Sequence, residues 1–213
     1  MPGQGLGRPL RVRPGGVLRI GTMESTAAAR LPAVLSEYHR RYPEVDIEIE
    51  TDVAQGLAER LLRYDVEVAF IAEPVQFDAF STRAVFREEL VLVAPRSFPE
   101  LDDVSGISGR TVVAFENGCA YRRYLEDWLL EAGIVPGGVM AVGSYLAILA
   151  CVSAGTGFAV VPRSVLDTIA SKGDFRSYRL PPKLRRIRTM MTWRRDYQSA
   201  KLDALRGLLP ALR

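Results

Sequence analysis

Apolar residues recur along this chain with two alternating periods. Val17-Leu-Arg-Ile-Gly21 is a short apolar run ending at a glycine, as a buried strand does. Thr22-Met-Glu-Ser-Thr26 follows, and Leu31, Val34, Leu35 and Tyr38 then fall at helical spacing within 27–42. Ser25 or Thr26 is the expected N-cap, because a side-chain oxygen there satisfies a free backbone N–H. Pro32 lies near the start of this helix and lacks a donor, so an irregular first turn is expected. Tyr42-Pro43 stops the helix. Val45-Asp-Ile-Glu-Ile-Glu50 alternates apolar and acidic residues, the pattern of a half-exposed strand. A short helix over 55–63 turns Leu57, Leu61 and Leu62 inward, and a buried strand over 66–72 ends at Glu73-Pro74.

One longer strand is expected over 83–95, after which the rhythm restarts. A strand over 110–115 leads through the loop Glu116 to Tyr121 into an amphipathic helix over 122–132, with Leu125, Trp128 and Leu129 inward. A strand over 139–142, a helix over 144–154 closed by Gly155, and a strand over 158–161 follow. A strand over 188–193 and a terminal helix marked by Leu202, Leu205, Leu208 and Leu209 complete the chain. The β-α-β-α-β order thus occurs twice, which predicts an α/β protein of two similar lobes with a cleft between them. The expected division is 17–94 with 190–213 in the first lobe and 95–189 in the second. In such sheets ligands sit beyond the carboxyl ends of the strands, at helix N-termini. The loops 21–26 and 116–121 occupy that place.

Composition changes this picture little. Apolar residues make up 48% and charged residues 25%, the mix of a soluble globular domain with a real core. Residues 1–16 are rich in glycine and proline, carry Arg8, Arg11 and Arg13 and hold no acid, and they lack the apolar core of a secretory signal. They read as a flexible leader or linker remnant. The formal charge of +3 is accounted for by those three arginines, so the body shows no net basic character and gives no sign of nucleic-acid contact. The apolar run 145–161 is interrupted by Ser153, Gly155, Thr156 and Gly157 and falls short of the ~20 residues of a membrane-spanning helix. The two cysteines, Cys119 and Cys151, read as reduced thiols.

Several stretches together, Leu18-Arg-Ile-Gly-Thr-Met-Glu-Ser-Thr26, Leu31-Pro32, Tyr42-Pro43-Glu-Val45 and Glu89-Leu-Val-Leu-Val-Ala-Pro95, resemble the effector-binding domain of LysR-type transcription regulators. In the second half Gly118-Cys-Ala-Tyr-Arg-Arg123, Leu125-Glu-Asp-Trp-Leu129, Gly143-Ser-Tyr145, Ala154-Gly-Thr-Gly157 and Val160-Val-Pro-Arg163 extend the likeness over 17–213. The resemblance implies a type-2 periplasmic-binding-protein-like fold, with two Rossmann-like lobes joined by two crossover strands. It also implies a small-molecule effector in the cleft, transcription regulation as the output, a cytoplasmic location and a homodimer, or a tetramer in a longer protein. DNA contact is expected only through an N-terminal winged helix-turn-helix that this sequence does not include. Two motifs depart from the family pattern. Tyr64-Asp-Val-Glu67 stands where a Gly-x-x-Asp turn is common, and Thr51-Asp-Val-Ala-Gln55 lacks the further threonines often found in that loop.

The candidate chemistry points to binding rather than turnover. The single histidine, His39, sits before Arg40 and Arg41 at a helix end, where a cation suits the helix dipole. No His/Cys cluster has metal-ligand spacing, no phosphate-binding Gly-rich loop is present, and no cofactor is expected. The paired acids Glu88-Glu89 and Glu126-Asp127 read as solvated surface. The expected ligand site consists of Thr22, Met23, Glu24 and Ser25 from the first lobe, with Glu73 at the end of the third strand. Gly118, Cys119, Ala120, Tyr121, Ser144 and Tyr145 come from the second lobe. Glu24 would repel an anion, which leaves amine-bearing or zwitterionic ligands at least as well suited as anionic ones. Cys119, at a helix start beside Arg122 and Arg123, is expected to have a lowered pKa, while Cys151 lies in an apolar helix and reads as inert. The basic stretch 183–195 reads as an edge or crossover strand with solvated arginines, with a nucleic-acid patch as the alternative. Arg30, Arg40 and Arg41 on one helix and Glu126, Asp127 and Glu131 on another are expected to pair across a two-fold interface. A free-standing solute-binding protein and an enzyme of the same fold remain as alternatives at this point.

Overall fold

The computed structural model describes residues 14–98, 104–169 and 174–212. Strand β1 (Gly16–Thr22) leads into two consecutive helices, α1 (Glu24–Ala29) and α2 (Leu31–Arg41). The break at Arg30 follows from Pro32, which occupies the first turn of α2 and cannot donate the hydrogen bond that would continue α1. Strand β2 (Val45–Thr51), helix α3 (Ala54–Leu62) and strands β3 (Val68–Ala72) and β4 (Phe80–Glu88) complete the first half. Strand β5 (Leu90–Pro95) opens the second half. It is followed by β6 (Thr111–Ala114), α4 (Ala120–Glu131), β7 (Gly138–Ala141), α5 (Tyr145–Ser153), β8 (Ala159–Pro162), α6 (Arg163–Thr168) and β9 (Phe175–Arg179). Strand β10 (Ile187–Arg194) and helix α7 (Ala200–Leu208) end the described chain.

The first sheet has the order β2-β1-β3-β10-β4, with β10 antiparallel to both neighbours. The second has β8-β5-β9 and β6-β7, bridged where Val112 meets Phe158 and Val113 N–H donates to the Phe158 carbonyl at 2.8 Å. The combined order β7-β6-β8-β5-β9 repeats the first sheet strand for strand. Gly157 makes this bridge sterically feasible, because a Cβ there would stand 2.1 Å from the Thr111 carbonyl oxygen.

Two expected boundaries move. The run 83–95 is two strands, not one: β4 belongs to the first sheet, and β5 pairs with β8 and β9 in the second. The alternating, half-buried β4 gives way at Glu88-Glu89 to the wholly buried β5, a change of pattern that the single-strand reading passed over. Residues 187–189, expected in the second lobe, pair with β4 in the first, and Thr189 also meets Ala72. The chain therefore crosses between lobes at Glu89 and again over 180–186. Strand β10 is central in its sheet and not an edge, because β3 and β4 flank it. Gly16, included in the expected leader, already pairs with Val45. The rest of that leader reading, 1–13, lies outside the described residues.

Each lobe has apolar packing of its own. Leu18, Ile20, Leu31, Tyr38, Val68, Phe70, Val85, Met191, Leu202 and Leu205 form a cluster between the first sheet and helices α2 and α7. A larger cluster runs from α3 and β3 into the second lobe, and Leu57, Leu61, Leu90, Leu92, Leu125 and Phe158 lie within it. Tyr64 holds a left-handed φ of 65°, at the turn where glycine is common in the family it resembles. The Arg194 guanidinium lies over its ring at 3.7 Å. That contact opposes a backbone cost of roughly 1–2 kcal/mol.

At the hinge, Glu88 is 2% exposed and accepts from Arg30 Nε at 2.7 Å and from Ser164 Oγ at 2.7 Å. One buried carboxylate thus ties the α1–α2 junction of the first lobe to α6 of the second. The reading of Glu88-Glu89 as solvated surface is corrected here for Glu88.

Candidate functional site

Two parallel pairs, β1 with β2 and β6 with β7, end at the boundary between the lobes, and each strand feeds a helix. β1 leads to Met23, β2 to Asp52 and Val53, β6 to Phe115 through Cys119, and β7 to Gly143 and Ser144. These turns meet face to face between the lobes and enclose a cavity of about 130 Å3. Its walls include Met23, Glu24 and Ser25 from the first turn, Asp52, Val53 and Ala54 from the second, and Phe115, Glu116, Cys119, Tyr121, Gly143 and Tyr145 from the other lobe. The cleft predicted from the repeated β-α-β order is therefore where the carboxyl-end rule puts it.

Direct contacts cross the cleft. The Glu24 carboxylate accepts from the backbone N–H of Tyr145, the first residue of α5, at 2.9 and 3.3 Å. Burial pushes the Glu24 carboxyl above its ordinary value, and the Tyr145 N–H only partly offsets this. A second bridge runs from the Gln55 N–H to the Gly118 carbonyl at 3.4 Å. Gly118 holds a φ of 91°, and a Cβ there would stand 3.2 Å from a Val53 methyl. Phe115 and Tyr145 form an edge-to-face pair with centroids 4.8 Å apart.

Below these contacts sits a polar group without full partners. Ser25 and Tyr121 are 2% and 3% exposed, and their hydroxyls lie beside each other without a well-aligned hydrogen bond. Thr189, fully buried on β10, is in the same condition beside them. Burial pushes both the Tyr121 and Tyr145 phenols far above their ordinary value, so both are neutral donors. A buried unpaired hydroxyl costs roughly 1–3 kcal/mol. Clustered together, the three share imperfect contacts that lower this cost and leave room for a further polar partner.

Not every expected residue meets the cavity. Met23, Glu24, Ser25, Cys119, Tyr121 and Tyr145 line it. Thr22 is fully buried under the strand end, and its hydroxyl donates to the Met23 carbonyl at 3.1 Å. The expected caps also differ. Met23 is the N-cap of α1 and makes no side-chain capping bond, its Sδ accepting instead from Ala72 N–H at 3.4 Å, and Ser25 and Thr26 lie buried inside the helix. Glu73 is spent elsewhere: its carboxylate pairs with Arg188 at 2.6 Å, because the antiparallel β10 runs past the end of β3. Ser144 caps α5 by accepting from Ala147 N–H at 3.1 Å. Gly118 and Ala120 face a neighbouring groove with Arg122 and Arg123. Cys119 is the N-cap of α4, but burial pushes its thiol up, outweighing the Arg122 and Tyr121 N–H groups and the Arg122 charge. The expected lowered pKa is thus corrected. Asp52, Val53, Phe115 and Gly143 were missed as site residues, although the same carboxyl-end rule covers the turns after β2 and β7.

A mixed α/β fold of two repeated lobes, joined by two crossovers and closed over a small polar cavity, is that of a type-2 periplasmic-binding-protein-like ligand domain. The LysR substrate binding domain family model matches residues 11–212, and the chain belongs to that family. It is 36% identical over 183 residues to the HTH-type transcriptional regulator GltR of Bacillus subtilis, with 86% of this chain aligned to 62% of that protein. The chain thus spans about three fifths of the length of its curated relatives. The regulatory domain of CcmR from Synechocystis PCC6803 in complex with 2-PG matches with a TM-score of 0.80 at 16% identity, over 91% of this chain and 95% of that one. The effector-binding domain of BenM with benzoate matches with a TM-score of 0.73 at 18% identity, over 91% and 90%.

Proposed function

We propose that this chain is the sensing part of a LysR-type regulator. It binds a small polar metabolite between its lobes, does not convert it, and relays occupancy to a DNA-binding segment in the cytoplasm. The observation that carries the reading is the inter-lobe cavity, with buried hydroxyls on one side and contacts from both lobes around it. A ligand there touches both lobes, so it favours one lobe arrangement over others by its difference in affinity for them. The regulator names of the relatives and the 2-PG and benzoate complexes of the structural neighbours support the same reading. Among the described residues no group of acids, histidines and cysteines is arranged to hold a metal ion. No helix there is long and apolar enough to cross a membrane.

The test is thermal-shift screening of a metabolite library. A hit at 100 times its Kd adds about 2.7 kcal/mol of stability. Chromatography after long incubation should recover the hit unchanged; steady conversion of it would overturn the non-enzymatic reading.

Dimerisation is part of the proposal, and most of the charges first expected at its interface already have partners within the chain. Arg30 is bound to Glu88, Arg40 and Arg41 to Glu37, Glu126 to Arg122, and Glu131 to Lys183, all within one chain. The edge strands are better suited: Ile49 on β2 is 43% exposed, and Val139 and Met140 on β7 are 48% and 39% exposed. These strands hold equivalent positions in the two sheets, so a two-fold axis could bring each against the other. Light scattering on the chain decides the point, and a mass that stays monomeric on concentration counts against it.

A further inference from the structure

The lining of the inter-lobe cavity carries charge of one sign, which narrows what can occupy it. Building on the effector-sensing reading, we propose that this cavity selects a compact organic cation. Its ammonium group lies against Glu24 and the Phe115–Tyr145 pair, and a hydrogen-bonding group at its other end meets Ser25 and Tyr121.

Three acids, Glu24, Asp52 and Glu116, line the cavity, and no lysine, arginine or histidine does. Asp52 is already committed, because it accepts from Arg60 Nε at 2.9 Å and from the Val53 N–H at 2.8 Å. Glu24 is not. Both of its oxygens share the single N–H of Tyr145, whereas a carboxylate offers about four acceptor positions. Glu116 is exposed at the rim. The surplus is one of acceptors and negative charge.

Two of the backbone N–H groups that would draw an anion are already taken by the chain's own acids. The N–H of Val53, at the entrance to α3, is taken by Asp52, and the N–H of Tyr145, at the start of α5, by Glu24. The Arg60 guanidinium, outside the lining, is held between Asp52 and Glu50. An incoming carboxylate or phosphate would meet Glu24 with no free cation to offset it.

The acids alone would not define a site. The second observation is the pair of buried, unpartnered hydroxyls of Ser25 and Tyr121 in the same wall. They touch each other without a well-aligned bond, so they keep capacity for a polar ligand atom, and Tyr121 can donate to it. The Phe115 and Tyr145 rings, 4.8 Å apart, add faces that attract a cation stripped of water. Burial has pushed the Glu24 carboxyl up, a cost that a neighbouring cation removes. The space of about 130 Å3 between the lobes suits a compact ligand.

The experiment uses three probes of one shape and different charge: 3-aminopropan-1-ol, propane-1,3-diol and 3-hydroxypropanoate. Each is titrated against the chain by NMR at millimolar concentration. The amine should bind and cause shifts at Ser25, Phe115 and Tyr145, with the diol and the acid at least about tenfold weaker. Glu24→Gln keeps an oxygen to accept from Tyr145 and removes only the charge, so it should reduce amine binding about tenfold and leave the diol unchanged. Preference for the acid, equal binding of all three, or amine binding unaffected by Glu24→Gln would each overturn the charge assignment and leave the effector-sensing reading standing. If none of the three binds at these residues, the cation assignment falls, and the effector-sensing reading is decided separately by the metabolite screen.

Discussion

The Arg30–Glu88 pair at the hinge gives a sharp asymmetry to test. The Glu88 side chain is 2% exposed and that of Arg30 33%. Arg30→Met removes the guanidinium and strands a buried carboxylate, with the Ser164 hydroxyl as its remaining side-chain donor. Breaking a buried pair in this way costs roughly 3–5 kcal/mol. Glu88→Gln keeps an oxygen for Ser164 and leaves Arg30 a route to water, because a third of its surface already faces solvent. The cost should be about 1–2 kcal/mol, near that of one charge-assisted hydrogen bond. The double variant Arg30→Met/Glu88→Gln should be more stable than Arg30→Met alone, because no buried charge is left unpaired. Urea unfolding followed by circular dichroism measures all three, and on a chain of this size each kcal/mol moves Tm by about 2–4 °C. If Glu88→Gln costs as much as Arg30→Met, or the double variant is the worst of the three, the reasoning from burial is wrong.

Three further outcomes are expected. Tyr121→Phe removes a buried unpaired hydroxyl, so it should stabilise the empty chain by about 1 kcal/mol while weakening any effector found by screening; a destabilised variant would show that the hydroxyl is bonded after all. Gly118→Ala adds a methyl at a φ of 91° and 3.2 Å from Val53 across the cleft. It should cost about 1–2 kcal/mol and weaken effector binding as well, and unchanged affinity by calorimetry would count against closure at that contact. Burial pushes the Glu67 carboxyl up, but Tyr197, the Arg19 N–H and Lys201 outweigh this, and its pKa lies below 4.5. Its contribution is therefore full above its ordinary, unfolded-state range and is lost as pH falls toward the lowered native value. Glu67→Gln should flatten that acid limb of the stability–pH curve, and an unaltered limb would refute the assignment.

Much of the fold could be read from the residues because each lobe repeats simple local signals. Leu18 and Ile20, Leu57 and Leu61, and Leu125 and Trp128 each mark a buried face by spacing and are buried as expected, whereas Leu62, also expected inward, is 44% exposed on the outer side of α3. Pro32 announced the break between α1 and α2. What stayed hidden depended on partners distant in sequence. Nothing local to Glu73 shows that Arg188 will pair with it, and the change at Glu88-Glu89 from an alternating to a fully apolar run does not by itself say that the two halves join different sheets. Cys119 was misjudged for a related reason. The helix start and the arginines are visible in the sequence, but the burial that outweighs them comes from chain on both sides of the cleft. Ser25 shows the limit of capping rules: the backbone bond from Thr26 N–H to the Met23 carbonyl already closes that turn, so the hydroxyl is not needed as a cap.

The crossover at 180–186 also sets an order of assembly. The strands of the second sheet all come from one unbroken stretch, 90–179, so that sheet can close as soon as this stretch is made. The first sheet cannot: β3 and β4 are not hydrogen-bonded to each other, and β10 must slide between them after the whole second lobe has been synthesised. Glu67 waits equally long for Lys201 and Tyr197, 134 and 130 residues further on. During translation the N-terminal lobe is thus an open sheet with two unpaired inner edges, the kind of surface that pairs with other chains. The lobe that begins first finishes last, and its exposure to aggregation or to a chaperone lasts as long as the synthesis of its twin.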